Sequence, residues 1–480
     1  MEIISNLFIS FFPFCCKYVA KVTILYQKQE KIVLIMLFLP ENTMCSVVFC
    51  SLIRTFETLS LRHSRSKKVK ILLLFCSLIR TFAGMEQKKR LVIVGGGAAG
   101  FFLAVNVKEM MPEMEVTVLE RSQRVLAKVE VSGGGRCNCT NSFEGVSDLS
   151  QVYPRGHRLM KRLFHVFDYH DAYQWFERHG VPLMVQDDQC VFPQAQDSHA
   201  IIDCFLSLAR RYHIGIRTGC RVQALEDVKG YDYVAVTTGG SPKGEGLHWL
   251  AASGHEIEAP VPSLFTFSVA DERLQALMGL VTDVEVMIPG TKLRASGAML
   301  ITHWGLSGPA VLRLSSYAAR YLAEHGYQTP LTVRWLALQD QEIAALLYEQ
   351  TTAEPKKLLT NYNPFGLQQR LWAYLVEKAL EKRAQIRWAE VNKKDVNRLV
   401  NVLQNDTFQI AGRAPFKDEF VTCGGISLKA VNPSTLESRY VPNLYFAGEV
   451  LDIDGVTGGF NFQAAWTTAY TVACSVTRNR

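Results

Sequence analysis

The sequence predicts an α/β fold: a Rossmann-like, dinucleotide-binding domain that is discontinuous in the chain, with an inserted β-barrel-like domain carrying a small helical subdomain. Three observations predict it. A short apolar run, Leu91–Val94, leads into Gly95-Gly96-Gly97-Ala98-Ala99-Gly100. A second pattern of strand, glycine and helix, beginning Leu444-Tyr445-Phe446-Ala447-Gly448, closes the chain. Between them the texture changes at 263–419, strand-like over 263–337 and 404–419 and helix-like over 338–403. The expected organisation is a first cofactor segment at 85–262, the insert at 263–419 and a second cofactor segment at 420–480.

Composition bounds this reading. A chain of 480 residues is too long for one hydrophobic core. Its 48% hydrophobic and 20% charged residues are those of an ordinary globular protein and exclude a disordered, collagenous or coiled-coil one. Twelve cysteines are too sparse for a disulfide scaffold. The net charge of +7 lies entirely in residues 1–84, with 11 basic and 4 acidic side chains, against 41 and 41 in 85–480. Overall charge therefore gives no case for nucleic acid.

Residues 1–84 also repeat the octapeptide FCSLIRTF, at Phe49–Phe56 and Phe75–Phe82. Their longest apolar run, Leu7–Cys16, is 10 residues and contains Pro13, short of the roughly 18–20 that span a bilayer. The start lacks the basic residues and small-residue cleavage site of a signal peptide. The expectation is translated upstream sequence with the working chain starting at Met85; an anchor or targeting role is the alternative.

From Leu91 each element has a mechanical reason. The apolar run is of buried parallel-strand type. Gly95, Gly97 and Gly100 form G-x-G-x-x-G: the first allows the tight turn, the second lets backbone approach a pyrophosphate, and the third lets the helix pack close to the sheet. The helix runs through Phe101–Met111, and its N-terminal N–H groups face the phosphates. Val116–Leu119 is the second strand. Glu120 ends it, 20 residues past Gly100, where a ribose hydroxyl is held. The acid argues against a 2′-phosphate, although Arg121 stands beside it.

Two further clusters favour flavin. Ser132-Gly133-Gly134-Gly135-Arg136-Cys137-Asn138 offers a row of backbone N–H groups and a charge to an anion. After Gly448 and Glu449 come Asp452, Asp454, Gly455 and Gly458-Gly459-Phe460-Asn461-Phe462-Gln463, then a helix over Ala464–Val472. A long dinucleotide gripped from both ends of the chain fits FAD better than NAD.

SGGGRCN followed by Thr140-Asn141, with LYFAGEVLDIDGVTGGFNFQAAW at the C-terminus, resembles the BaiN/RdsA-type NAD(P)/FAD-dependent oxidoreductases, also labelled aminoacetone-oxidase-like flavoproteins. The resemblance runs from about Lys88 to the end and includes Thr302–Ala310 and Val421–Ile426. It implies that Gly95, Gly97, Ala98, Ala99 and Gly100 hold the FAD pyrophosphate. Glu120 and Arg121 would flank the adenosine ribose, and Val222 would touch adenine through its backbone. Ser132, Gly133, Gly134, Gly135, Arg136, Cys137 and Asn138 would lie against the cofactor. Gly239, Gly448, Glu449, Gly458, Gly459, Phe460, Asn461 and Gln463 would approach the flavin end. There are departures: Thr237 stands where the family usually has Ala, and a hairpin between Val222 and Tyr231 is trimmed.

In the insert, Phe265–Val269, Val284–Ile288 and Met299–Thr302 read as strands. Residues 341–403 read as helical, with Leu371, Leu375, Ala379 and Arg383 on a four-residue step, and the strand pattern returns at Thr407–Ile410. The resemblance implies an insert lying over the flavin and forming the substrate cleft. The helical unit carries Arg370, Lys378, Lys382, Arg383, Arg387, Lys393, Lys394 and Arg398 against Glu377, Glu381, Glu390 and Asp395. This is either an RNA-facing patch or a solvated helix surface.

The candidates for chemistry are few. Cys137 is a proton donor or a packing residue, and its C-x-C spacing with Cys139 is not a redox pair. His303 is a proton donor at neutral pH or a structural histidine. No zinc-like spacing occurs, so no metal is expected. No second G-x-G-x-x-G provides a standing nicotinamide site, so NAD(P)H would dock transiently as electron donor, unless O₂ reoxidises the flavin. The readings are a reductase of a conjugated C=C bond, acting on ribosomal RNA uridine or a small enone; an oxidase of a small amine or ketone; and a flavin-binding protein without turnover. A cytoplasmic location without stable membrane association is expected.

Overall fold

The computed structural model describes residues 88–413 and 421–478. The expectations for residues 1–84, including the start at Met85, lie outside them. Lys89–Arg480 forms a single unit.

Its centre is a five-stranded parallel sheet in the order Leu444–Phe446, Tyr233–Val236, Arg90–Val94, Glu115–Leu119 and Gly215–Arg217. Leu91, Val92 and Ile93 are fully buried, as an apolar run covered on both faces must be. The chain builds outward to Gly215–Arg217 and then crosses back to Tyr233–Val236 on the other side of the first strand. A crevice opens at such a reversal, beyond the strand ends. Gly95 and Thr237 are the residues that leave those two strands.

Helix Ala98–Met110 follows the glycine turn and packs on the C-terminal helix Phe460–Arg478. Phe102 lies between them, 5.1 Å from Trp466 and 4.6 Å from Trp175 between ring centres. The C-terminal helix extends past the expected Ala464–Val472 at both ends. It starts directly after Gly459, whose φ of +89° turns the chain into it, and it is buried around much of its circumference.

Strands Ile257–Ser263 and Val421–Ile426 pair antiparallel, Ser263 opposite Val421. The chain leaves for the insert and returns through this ribbon. Between lies a closed six-stranded antiparallel barrel, ordered Val281–Met287, Arg294–Thr302, Gly305–Ser307, Phe267–Val269, Asp406–Arg413 and Thr329–Arg334. The last two strands are separated in sequence by helices Asp340–Ala353, Gln369–Leu380 and Lys393–Asn405. Closure removes the exposed edges that short strands would otherwise present.

One expectation is corrected. The four-residue step on Leu371, Leu375 and Ala379 ends there, because the helix stops at Leu380 and Glu381 takes φ +49°. Arg383 belongs to the next turn. Its guanidinium bonds Asp395 at 2.9 Å.

Among the described residues, no helix is long and apolar enough to cross a membrane. No group of three or more His, Cys, Asp or Glu is placed to hold a metal ion among them.

Candidate functional site

The glycine turn explains its own composition. Gly95 has φ +117°, and a Cβ there would lie 2.4 Å from the Thr237 carbonyl oxygen. A Cβ on Gly100 would lie 2.1 Å from the Gly95 carbonyl oxygen, so a side chain would push the helix off the strand. Gly97 differs: a Cβ there meets nothing within 4 Å. Among the described residues nothing requires glycine at 97, and the open space borders a helix N-terminus, where phosphate is favoured. Glu120 accepts from the Gly96 N–H and the Ser122 N–H, both at 2.8 Å. Its carboxylate is thus held beside the turn with lone pairs to spare for a diol.

The second cluster is a tight reversal. Gly133, Gly134, Gly135 and Cys137 all have positive φ. The Gly135 and Cys137 N–H groups both donate to the Ser132 carbonyl at 3.0 Å. A Cβ on Gly134 or Gly135 would meet nothing within 4 Å. Arg136 is engaged internally, 4.3 Å over the Phe192 ring and bonded to Gln196 at 3.1 Å, so the charge it brings to the loop is already partly used. Cys137 is fully buried, and burial pushes its thiol up to about 12. The thiol therefore stays protonated at neutral pH.

This reversal is fastened to the C-terminal loop. With its amide oriented so that both of its ends are satisfied, Asn138 spans the Thr140 carbonyl, to which its nitrogen donates at 2.9 Å, and the Gly459 N–H, from which its oxygen accepts at 3.2 Å. Asn141 donates to the Gly458 carbonyl at 2.9 Å, Thr140 to Gln463 at 2.6 Å, and the Trp466 indole to the Cys139 carbonyl at 2.7 Å. Asn461 closes the loop on Gly455 with two bonds of 2.8 and 2.9 Å. The Phe460 carbonyl accepts from buried Tyr153 at 2.8 Å.

The first cluster meets the same end of the chain. A Cβ on Gly448 would lie 2.9 Å from that of Ala99. Glu449 pairs with Lys128 at 2.9 Å, accepts from the Thr422 N–H at 2.8 Å, and lies 3.7 Å from where a Gly239 Cβ would be. Three glycine clusters far apart in sequence therefore face one region. Val222 is half-buried against the same core and Arg121 is exposed. His303 stands exposed at the turn between barrel strands, its ring 4.1 Å from that of Trp304.

Sequence reasoning missed Arg155. Its guanidinium is bonded to the carboxylate of Asp454, and it donates to the Ser316 carbonyl at 2.7 Å. Asp454 also accepts from Ser263 at 3.1 Å. Arg320 pairs with Asp452 at 3.1 Å. Burial pushes the Asp452 and Asp454 carboxyls above the ordinary range, against the pull of Arg320 and Arg155. The two aspartates were visible in the motif, but nothing local marked the arginines that meet them.

The family model for the HI0933-like protein Rossmann domain matches residues 89–475. The chain belongs to this family. Its members are the FAD-dependent Rossmann proteins that the glycine motifs resembled, and the chain is an oxidoreductase of that flavoprotein type. It is 26% identical over 403 residues to the 3-dehydro-bile acid delta(4,6)-reductase of Clostridium scindens, covering 79% of this chain and 97% of that one. It is 28% identical over 418 residues to the ribosomal RNA dihydrouridine synthase of Haemophilus influenzae, covering 82% and 100%. Among solved structures, the open form of a flavocytochrome c3 fumarate reductase matches with a TM-score of 0.39 at 15% identity, over 86% of this chain and 81% of that one.

Proposed function

We propose that this HI0933-like protein is an NAD(P)H-driven reductase of a C=C bond conjugated to a carbonyl, acting in the cytoplasm. The observation that carries the FAD site is the joining of the Ser132–Asn138 reversal to the Gly458–Gln463 loop, with open backbone at Gly97, Gly134 and Gly135. In this reading Gly95–Gly100 hold the pyrophosphate and Glu120 the ribose. The two later loops flank the flavin. The organisation is a cofactor domain of two segments, 85–262 and 420–480, around an insert at 263–419.

The names of the two relatives support the reaction class. A delta(4,6)-reductase and a dihydrouridine synthase act on unrelated molecules, yet each adds two hydrogens across a C=C bond. Bound FAD supplies the hydride chemistry. The chain's own part is to bind and orient, to exclude water, and to deliver the balancing proton. Cys137, buried and protonated at neutral pH, and the exposed His303 are the candidates for that donor. Ribosomal RNA uridine and a small enone are the rival substrates.

If RNA is the substrate, the helical face contributes through Lys382, Lys393, Lys394 and Arg398, which are exposed. Arg370, Lys378, Arg383 and Arg387 are already bonded to Ala276, Asp406, Asp395 and Lys356 respectively.

The test is anaerobic reduction of the purified yellow protein by NADH and NADPH, then reoxidation by an enone or a uridine-containing ribosomal RNA fragment. Substrate-dependent reoxidation with dihydro product supports the reading. Stoichiometric peroxide from aminoacetone without nicotinamide overturns it in favour of an oxidase, and no turnover in either assay in favour of a flavin-binding protein.

A further inference from the structure

A cleft of about 500 Å³ opens where the cofactor fold meets the barrel. Pro154 and Arg155 form one wall. Lys292 and Arg294, at the turn between the barrel strands Val281–Met287 and Arg294–Thr302, form another. Tyr317 and Arg320, from consecutive helices beside the barrel, complete it. Among the described residues four cations line the cleft and no acid does.

The acids stand behind the wall. Asp454 holds Arg155, Asp452 holds Arg320 at 3.1 Å with Glu258 at 3.8 Å, and Glu285 lies 4.0 Å from Arg294 while bonding Arg334 at 3.3 Å. Lys292 has no ion-pair partner among the described residues. Arg155 is fully committed to Asp454 and the Ser316 carbonyl, so it anchors the floor. Ser316 is itself fully buried, and its hydroxyl has no hydrogen-bond partner among the described residues. Lys292 and Arg294 remain available to a ligand.

We propose that this cleft binds a nucleotide phosphate, with Lys292 and Arg294 as the contacting cations and Arg155 and Arg320 as acid-anchored cations beneath them. Cations on separate elements, spread over this volume, suit the several acceptor oxygens of a phosphodiester or pyrophosphate better than one planar carboxylate. Tyr153, next to the Pro154–Arg155 wall, donates to the Phe460 carbonyl at 2.8 Å, and Arg155 bonds Asp454, so this wall is tied to the C-terminal loop that flanks the flavin end of the proposed cofactor site. The phosphate has two sources, the backbone of an RNA substrate or the pyrophosphate of the nicotinamide donor. The inference rests on the reductase reading for those sources, but not for the binding itself.

The test uses the flavin-loaded protein and the double variant Lys292→Gln/Arg294→Gln, with unchanged flavin spectrum and melting temperature as the control for folding. One arm measures anisotropy of a labelled single-stranded uridine-rich oligoribonucleotide across a salt series. The other measures anaerobic flavin reduction against NADH and NADPH concentration. The expected result is about tenfold weaker binding in one arm. If that arm is RNA, the salt slope falls by about 1.4, for two lost single-strand phosphate contacts. The arm that moves identifies the source. Binding within twofold of the parent in both arms, or no binding by the parent in either, overturns the proposal. Loss of phosphate binding in a protein that reduces no C=C bond would keep the cleft and reject the reductase.

Discussion

The Thr237 hydroxyl donates to the Gly95 carbonyl oxygen at 2.8 Å. It ties the end of one central strand to the glycine turn leaving the next, at the point where the sheet order reverses. Thr237 departs from the Ala that the resembled family usually has, and the structure gives the threonine a task. Thr237→Ala should lower stability by about 1 kcal/mol, the usual net worth of such a bond, with flavin content unchanged. Thr237→Val should cost more, because a methyl replaces the donor at a buried carbonyl. Urea unfolding with an absorbance scan measures both. Loss of flavin from Thr237→Ala would mean that the hydroxyl touches the cofactor.

Gly97 and Gly100 separate two reasons for a glycine. Gly100→Ala places a Cβ 2.1 Å from the Gly95 carbonyl oxygen, and overpacking of this kind costs about 1–3 kcal/mol even without cofactor. Gly97→Ala meets nothing, so flavin-free protein should change by less than about 1 kcal/mol, while FAD affinity falls. Denaturation of flavin-stripped protein beside FAD titration distinguishes them. Equal loss of apo stability in both variants would refute the assignment of Gly97 to the ligand.

The Arg383–Asp395 pair predicts a pH dependence. The hydrogen bond from Arg383 holds the Asp395 carboxyl below its ordinary value, against its burial. A depressed carboxylate pKa adds stability above the unfolded value and loses it as pH falls through the folded value. Arg383→Gln should therefore melt below the parent at pH 7. The two should converge as pH is taken below the ordinary Asp value of about 3.9. A difference that persisted undiminished in acid would exclude the ion pair as its cause.

Asp454 is 1% exposed in its side chain and carries the bond to Arg155. Removing one member of such a pair leaves a buried charge, at a cost of about 3–5 kcal/mol. Asp454→Ala should lose that much in denaturant unfolding, and the double variant Arg155→Met/Asp454→Ala should recover part of it. A double variant no more stable than Asp454→Ala would show that the pair is not the origin of the loss.

Legibility followed the range of the interaction. Leu91–Val94 and the glycine spacing were readable because each residue answers to its immediate neighbours. The four-residue step overran to Arg383, since helical spacing carries no mark for the break that Glu381 makes. The C-terminal helix was read short because Phe460–Gln463 looked like ligand loop, whereas they begin a helix that also touches the loop. Arg155 was invisible, because its partner Asp454 is 299 residues away.

What the amino-acid sequence determined alone is the existence of a dinucleotide-binding strand, turn and helix, a second glycine-rich reversal and a third glycine cluster. Each is a local statement about φ, burial and close approach. That the clusters lie side by side was decided only when Asn138 met Gly459, Glu449 met Lys128 and Gly448 met Ala99. Those contacts depend on a C-terminal strand taking the sheet edge beside Tyr233–Val236 and on the helix behind it packing against Ala98–Met110. The cationic cleft arises in the same way. Its walls come from segments that the barrel brings together, and charges so assembled leave no periodic trace in the chain.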